Sequence, residues 1–108
     1  MKVIVDFCLT PLEAETSLTP YSAECQKIIA SLGLSHQLHA YGTNIEGEWE
    51  VVMDAVKRCH MRVHEMGAPR ISTQLKIGTR SDREQSMADK VSHVRDYLAQ
   101  SLKRKQTQ

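Results

Sequence analysis

No long hydrophobic run occurs in this 108-residue sequence, and none approaches the roughly 18 apolar residues that a membrane-crossing helix needs. No sign of charge dominates either. Lys+Arg 14 against Asp+Glu 13 leaves a net charge of +1, whereas a dedicated nucleic-acid binder normally shows a basic face. The one basic run, Lys103-Arg104-Lys105, fits a solvated terminus. Cysteine is scarce. Cys8, Cys25 and Cys59 are an odd number without C-x-x-C spacing, which disfavours a disulfide framework or a zinc knuckle and fits reduced thiols in the cytosol. The chain enters Val3-Ile4-Val5 at once, with no signal-peptide pattern before it. Internal repeats and low-complexity segments are also missing.

What is present is ordinary for one globular domain: 41% hydrophobic and 25% charged residues, in a chain long enough to bury one core. The expectation is a soluble, cytoplasmic domain over 1–102 with a flexible basic tail over 103–108. Val3, Val5, Phe7 and Leu9 alternate with Ile4, Asp6, Cys8 and Thr10, a period of two that predicts a strand over 2–10 ended by Pro11. Residues 11–19 read as a loop. Thr19-Pro20 offers an N-cap hydroxyl and a first-turn proline. Tyr21, Cys25, Ile28, Ile29 and Leu32 follow at helical spacing, and Gly33 sits where a helix-ending glycine belongs.

A second strand is expected over 34–41, a tight turn at Gly42-Thr43-Asn44, and a short third strand at Ile45-Glu46. A second helix from about Glu48 buries Trp49, Val52, Met53, Val56, Cys59 or His60, and Val63, and stops at Met66-Gly67-Ala68-Pro69. A fourth strand covers 70–77. After a polar loop, Ser86-Met87-Ala88-Asp89 reads as a capping box for a third helix with apolar Met87, Val91, Val94, Leu98 and Leu102. The order βαββαβ plus a terminal helix is the α+β, ferredoxin-like arrangement. Two helices then cover one sheet face and leave Asp6, Cys8, Gln37, His39, Tyr41, Glu46, Gln74 and Lys76 on the other, to meet a ligand, another subunit, or both. The third helix packs on its own sheet or on a neighbouring chain.

The stretch from Gly42 to Trp49 is the richest in chemistry. It gathers Thr43, Glu46 and the only tryptophan, with Gly42 and Gly47 leaving room for close approach. Glu46 is expected on the open face, beside the space left by Gly47. Trp49 suits core packing or ligand stacking. His60 and His64, four apart, have chelating spacing, but no third ligand is placed and no Glu follows the first His, so no metal is expected. Cys8 as nucleophile with His39 across from it, or Asp6 with Glu46 as an acid/base pair, would give a hydrolase. A buried structural thiol and solvated carboxylates are the plainer readings.

The chain resembles the small thiamine-binding protein family. The resemblance runs over 3–95 and rests on Val5-Asp6, Pro11-Leu12, Gly42-Thr43 with Ile45-Glu46-Gly47-Glu48-Trp49, and His64-Glu65-Met66-Gly67 before Arg70. Lys76-Ile77, Arg80, Met87 and Lys90-Val91 extend it. It departs at Glu13, where the family often has glycine, at Gly78-Thr79 in place of an acidic pair, and at Cys8, usually aliphatic there. The resemblance implies a ferredoxin-like fold, dimers and tetramers, and non-catalytic binding of thiamine or its pyrimidine without a further cofactor. Asp6, Cys8, His39, Tyr41, Thr43, Glu46 and Trp49 are then the expected ligand-binding residues. The competing expectations are a hydrolase acting on such a pyrimidine and a ligand-free structural or regulatory oligomer.

Overall fold

The structure is a computed structural model that describes residues 1–13 and 17–106. Seven elements follow in order: β1 (Lys2–Pro11), α1 (Thr19–Ser31), β2 (Ser35–His39), β3 (Gly42–Glu48), α2 (Trp49–Glu65), β4 (Ile71–Thr79) and α3 (Met87–Gln106). The four strands form one sheet in the order β2-β3-β1-β4, antiparallel at every junction. This is the ferredoxin-like arrangement with an added C-terminal helix.

The period-two pattern of β1 decides which face is covered. Val3, Val5 and Phe7 are all buried and pack against Ile45 of β3, Cys25 and Ile29 of α1, and Val52, Ala55, Cys59 and Val63 of α2. Of the two alternatives for the α2 stripe, Cys59 is the buried one and His60 lies at its edge. Trp49 packs half-buried against this core. Gly33 (φ +70°) and Gly67 (φ +103°) end α1 and α2 in backbone conformations that a side chain would strain.

Several boundaries differ from the sequence reading. The first helix is not capped by Thr19. Leu18 stands at the N-cap position without a side-chain cap bond, and the Ser17 hydroxyl, two residues before Thr19, accepts the Thr19 N–H at 3.2 Å. The hairpin turn is Ala40-Tyr41, because the ladder pairs His39 with Gly42 and carries β3 on through Thr43 and Asn44 beside β1. Gly42 is needed there for space: a Cβ would stand 2.5 Å from the Phe7 carbonyl oxygen. Gly47 makes no room for a ligand. It faces the core, where a Cβ would meet Leu34 Cδ2 at 2.6 Å.

The capping box of α3 forms as expected, with Ser86 N–H on Asp89 Oδ2 and Asp89 N–H on Ser86 Oγ, both at 3.0 Å. The helix runs on through Lys103, Arg104 and Lys105 into the stretch expected to be a flexible tail, where their positive charges suit the helix C-terminal dipole. Of that stretch, residues 107–108 lie outside the described residues. The alternative in which α3 packs on its own sheet is not what forms. Val94, Tyr97, Leu98 and Leu102 stay 55–72% exposed. The radius of gyration is 17.4 Å, against about 13 Å for a compact domain of this size.

Candidate functional site

The register fixes the open face row by row. Gln37, Asn44, Asp6 and Lys76 form one row across all four strands, and Glu46 lies one row away beside Ile4. His39 belongs to the next row in the other direction, paired with Gly42. With no side chain at Gly42, the imidazole of His39 lies across β3 and reaches Asp6, Nε2 to Oδ1, at 2.6 Å. The Tyr41 backbone N–H donates to His39 Nδ1 at 3.2 Å. Because Nδ1 accepts, the neutral ring carries its proton on Nε2 and donates it to Asp6.

Beside this pair, a cleft of about 270 Å³ opens between the N-terminal half of α1 and the β2–β3 hairpin. Cys8, His39, Tyr41 and Thr43 all line it, so four of the seven expected binding residues converge, with Asp6 joined through His39. Phe7, Leu9 and Leu38 add apolar wall. Tyr41, 87% exposed at the turn, forms the rim. Thr43 turns toward the helices rather than the open face and is buried at the floor. Its Oγ1 accepts from Gln26 Nε2 at 2.8 Å.

Gln26 and Ser22, both lining the cleft, were missed by the sequence reading. Their only signal is i,i+4 spacing along the flank of the Tyr21–Cys25–Ile29 stripe, which resembles a solvated edge. Cys25 also faces the cleft. Behind it, the Cys59 thiol is held above its usual range by its hydrogen bond with Cys25 and by burial.

Two expected residues stand apart. Glu46 is three residues from Thr43, about 10 Å along the strand, on the opposite face, and its Oε2 accepts the Met87 N–H at 2.9 Å. Trp49 lies six residues beyond Thr43, past the far end of β3 at the start of α2, about 20 Å away. Glu46 lines a second and larger cavity, about 700 Å³, below the β4–α3 loop. That cavity is lined by charges of both signs, among them Lys2, Glu48, Arg80, Asp82, Arg83 and Lys90. Arg80 binds both oxygens of Asp82, at 2.6 and 3.0 Å, and Gln85 at 2.8 Å. The arginine holds the Asp82 carboxyl down to about 2. The smaller cleft, with a polar floor and an aromatic rim, is the better candidate for a small organic ligand.

The pairing of Cys8 with His39 finds no support in this geometry. Both ring nitrogens of His39 are engaged, so neither is left to take a proton from Cys8. The Cys8 thiol meets Thr10 Oγ1 at 3.9 Å instead. His60 bonds Thr73 Oγ1 at 2.6 Å and His64 bonds the Ala68 carbonyl at 2.8 Å. Among the described residues, no cluster of three metal-ligating side chains forms.

A family model described as thiamine-binding protein matches residues 5–95. The UPF0045 protein sll0230 of Synechocystis sp. is 52% identical over 101 residues, covering 94% of this chain and 84% of that one. The UPF0045 protein ECM15 of Eremothecium gossypii is 36% identical over 100 residues, covering 92% and 95%. Among solved structures, the protein MJ1052 of Methanocaldococcus jannaschii superposes with a TM-score of 0.80 at 26% identity, over 86% and 95% of the two chains. A Thermotoga maritima protein provisionally assigned to thiamine biosynthesis or salvage superposes at 0.75, with 26% identity over 87% and 99%.

Proposed function

The chain belongs to the thiamine-binding protein family, and from that premise we propose that it binds thiamine through the pyrimidine ring in the α1–hairpin cleft. The observation that carries this reading is the convergence of Cys8, His39, Tyr41 and Thr43 on one cavity. Its volume of about 270 Å³ lies at the small end of ligand sites, which suits one ring better than the whole molecule. The pyrimidine enters, and the thiazolium stays at the mouth. There the Tyr41 ring offers a cation–π contact of about 0.5–2 kcal/mol, and Asp6 offsets the positive charge.

The role is binding without turnover, as carrier, store or sensor. A hydrolase would need an activated nucleophile beside a free base, and the engagement of both His39 nitrogens supports the binding role instead. The three free thiols accord with the cytoplasmic setting that this reading adopts.

The working form is a homo-oligomer, a dimer of dimers, with α3 supplying contacts between chains. Its exposed Val91, Val94, Leu98 and Leu102 form a stripe that a solitary chain would leave in water. Light scattering should give a multiple of 12.2 kDa, and Leu98→Glu should shift it toward that mass. A wild-type mass equal to one chain overturns the assembly.

Calorimetric titration with thiamine, its phosphates and its isolated pyrimidine tests the ligand. His39→Ala and Tyr41→Ala should each weaken thiamine about tenfold, with melting temperature almost unchanged because both groups sit at the surface. Equal affinity in all three proteins removes the cleft from consideration.

A further inference from the structure

We infer that Gln26 reads the aminopyrimidine edge of the ligand, with Thr43 as the positioning residue that holds its carboxamide in the cleft. This deepens the thiamine reading above and rests on it.

Gln26 Nε2 donates to Thr43 Oγ1 at 2.8 Å. Thr43 is only 4% exposed, so the tether is anchored in the protein floor, while Gln26 is half-buried at the cleft wall. A carboxamide has two N–H donors and one carbonyl acceptor. One N–H is committed to Thr43. The second N–H and Oε1 have no other hydrogen-bond partner among the described residues.

A donor beside an acceptor on one planar group complements the edge of a 4-aminopyrimidine, where an amino N–H lies next to a ring nitrogen. The same two-point pairing lets Asn and Gln recognise adenine. No other side chain lining the cleft offers that planar pair. Thr10, Ser22, Tyr41 and Thr43 present single hydroxyls, and both His39 nitrogens are engaged. The tether also prevents the free rotation that a long glutamine side chain would have to lose on binding.

The test compares thiamine with an analogue carrying hydrogen in place of the 4-amino group, on wild type, Gln26→Leu, Gln26→Ala and Thr43→Val. Calorimetry gives the affinities and thermal melting confirms folding. Wild type should prefer thiamine by about ten- to a hundredfold. Both Gln26 variants should bind the two compounds within about twofold of each other, and Thr43→Val should show a preference in between. A purely structural role for Gln26 would lower both affinities together and leave their ratio intact. Retention of the wild-type ratio in a folded Gln26 variant overturns the assignment, as does a wild type that binds thiamine without preferring the amino group. A wild type that binds neither compound brings down the thiamine reading and this inference with it.

Discussion

The Glu46 carboxylate receives the backbone N–H of Met87 at 2.9 Å. This bond ties the open face of the sheet to the first turn of α3. It adds a side chain from another element to the cap that Ser86 and Asp89 make locally. An anion at that end of a helix interacts favourably with its dipole.

Glu46 therefore matters to stability more than a solvated strand carboxylate would. Glu46→Gln keeps an acceptor but loses the charge, and should cost about 0.3–1 kcal/mol. Glu46→Ala removes the cap and should cost about 0.5–2 kcal/mol. Far-UV dichroism should show α3 fraying in both, while thiamine affinity changes less than about twofold. A tenfold loss of affinity in a fully folded Glu46→Gln would instead return Glu46 to the ligand site.

Gly47 and Gly42 should respond differently to alanine. At Gly47 the obstacle is Leu34 Cδ2 at 2.6 Å, the end of a side chain, so Gly47→Ala should cost about 1–3 kcal/mol. Leu34→Val should restore part of that loss in the double variant. At Gly42 the obstacle is the Phe7 backbone oxygen at 2.5 Å, and no side-chain substitution should rescue Gly42→Ala. Chemical denaturation of the five proteins, double variant included, decides the matter.

Glu13 sits in the left-handed region at φ +61°, a conformation that glycine adopts without the strain a side chain brings. Its contact with Arg70, 3.4 Å between exposed groups, offsets little of the strain. Glu13→Gly should therefore raise stability, by up to about 1 kcal/mol once the backbone entropy of glycine is deducted. A lower denaturation midpoint would show that the Arg70 contact outweighs the strain.

The three thiols should separate by reactivity. Cys8 is half-exposed, whereas Cys25 and Cys59 are buried, and Cys59 is further held in its protonated form. Iodoacetamide at neutral pH, followed by peptide mass spectrometry, should label Cys8 first. Labelling of Cys25 and Cys59 should await denaturant. Early modification of Cys59 would mean that α1 and α2 separate readily in the native state.

His60 should make the fold sensitive to mild acid. Burial, and then the neighbouring His64, hold its pKa below the ordinary value. The unfolded chain thus takes up the proton more readily, so stability is complete above the ordinary histidine value of about 6.5 and falls as pH drops through the folded value. Urea midpoints between about pH 7.5 and 5.5 should decline in wild type and decline less in His60→Gln. Equal slopes would assign the loss to other groups.

The sequence by itself determined the architecture and the identity of the core. Alternation at Val3, Val5 and Phe7 and helical spacing at Cys25 and Ile29 are local periodicities, and burial follows them because a strand or helix must hide its apolar side. The family-like run from Gly42 to Trp49 was equally legible, but which of its residues share a cavity was not. Thr43, Glu46 and Trp49 are close in sequence, yet β3 sends Thr43 to the cleft floor and Glu46 to the opposite face, and Trp49 opens α2 beyond the strand's far end. Gln26, distant in sequence, meets Thr43 at 2.8 Å. Only the packing of α1 on β3 decides that contact. Local spacing fixes which way a side chain leaves its own element, while its partners depend on register and on how the elements stack.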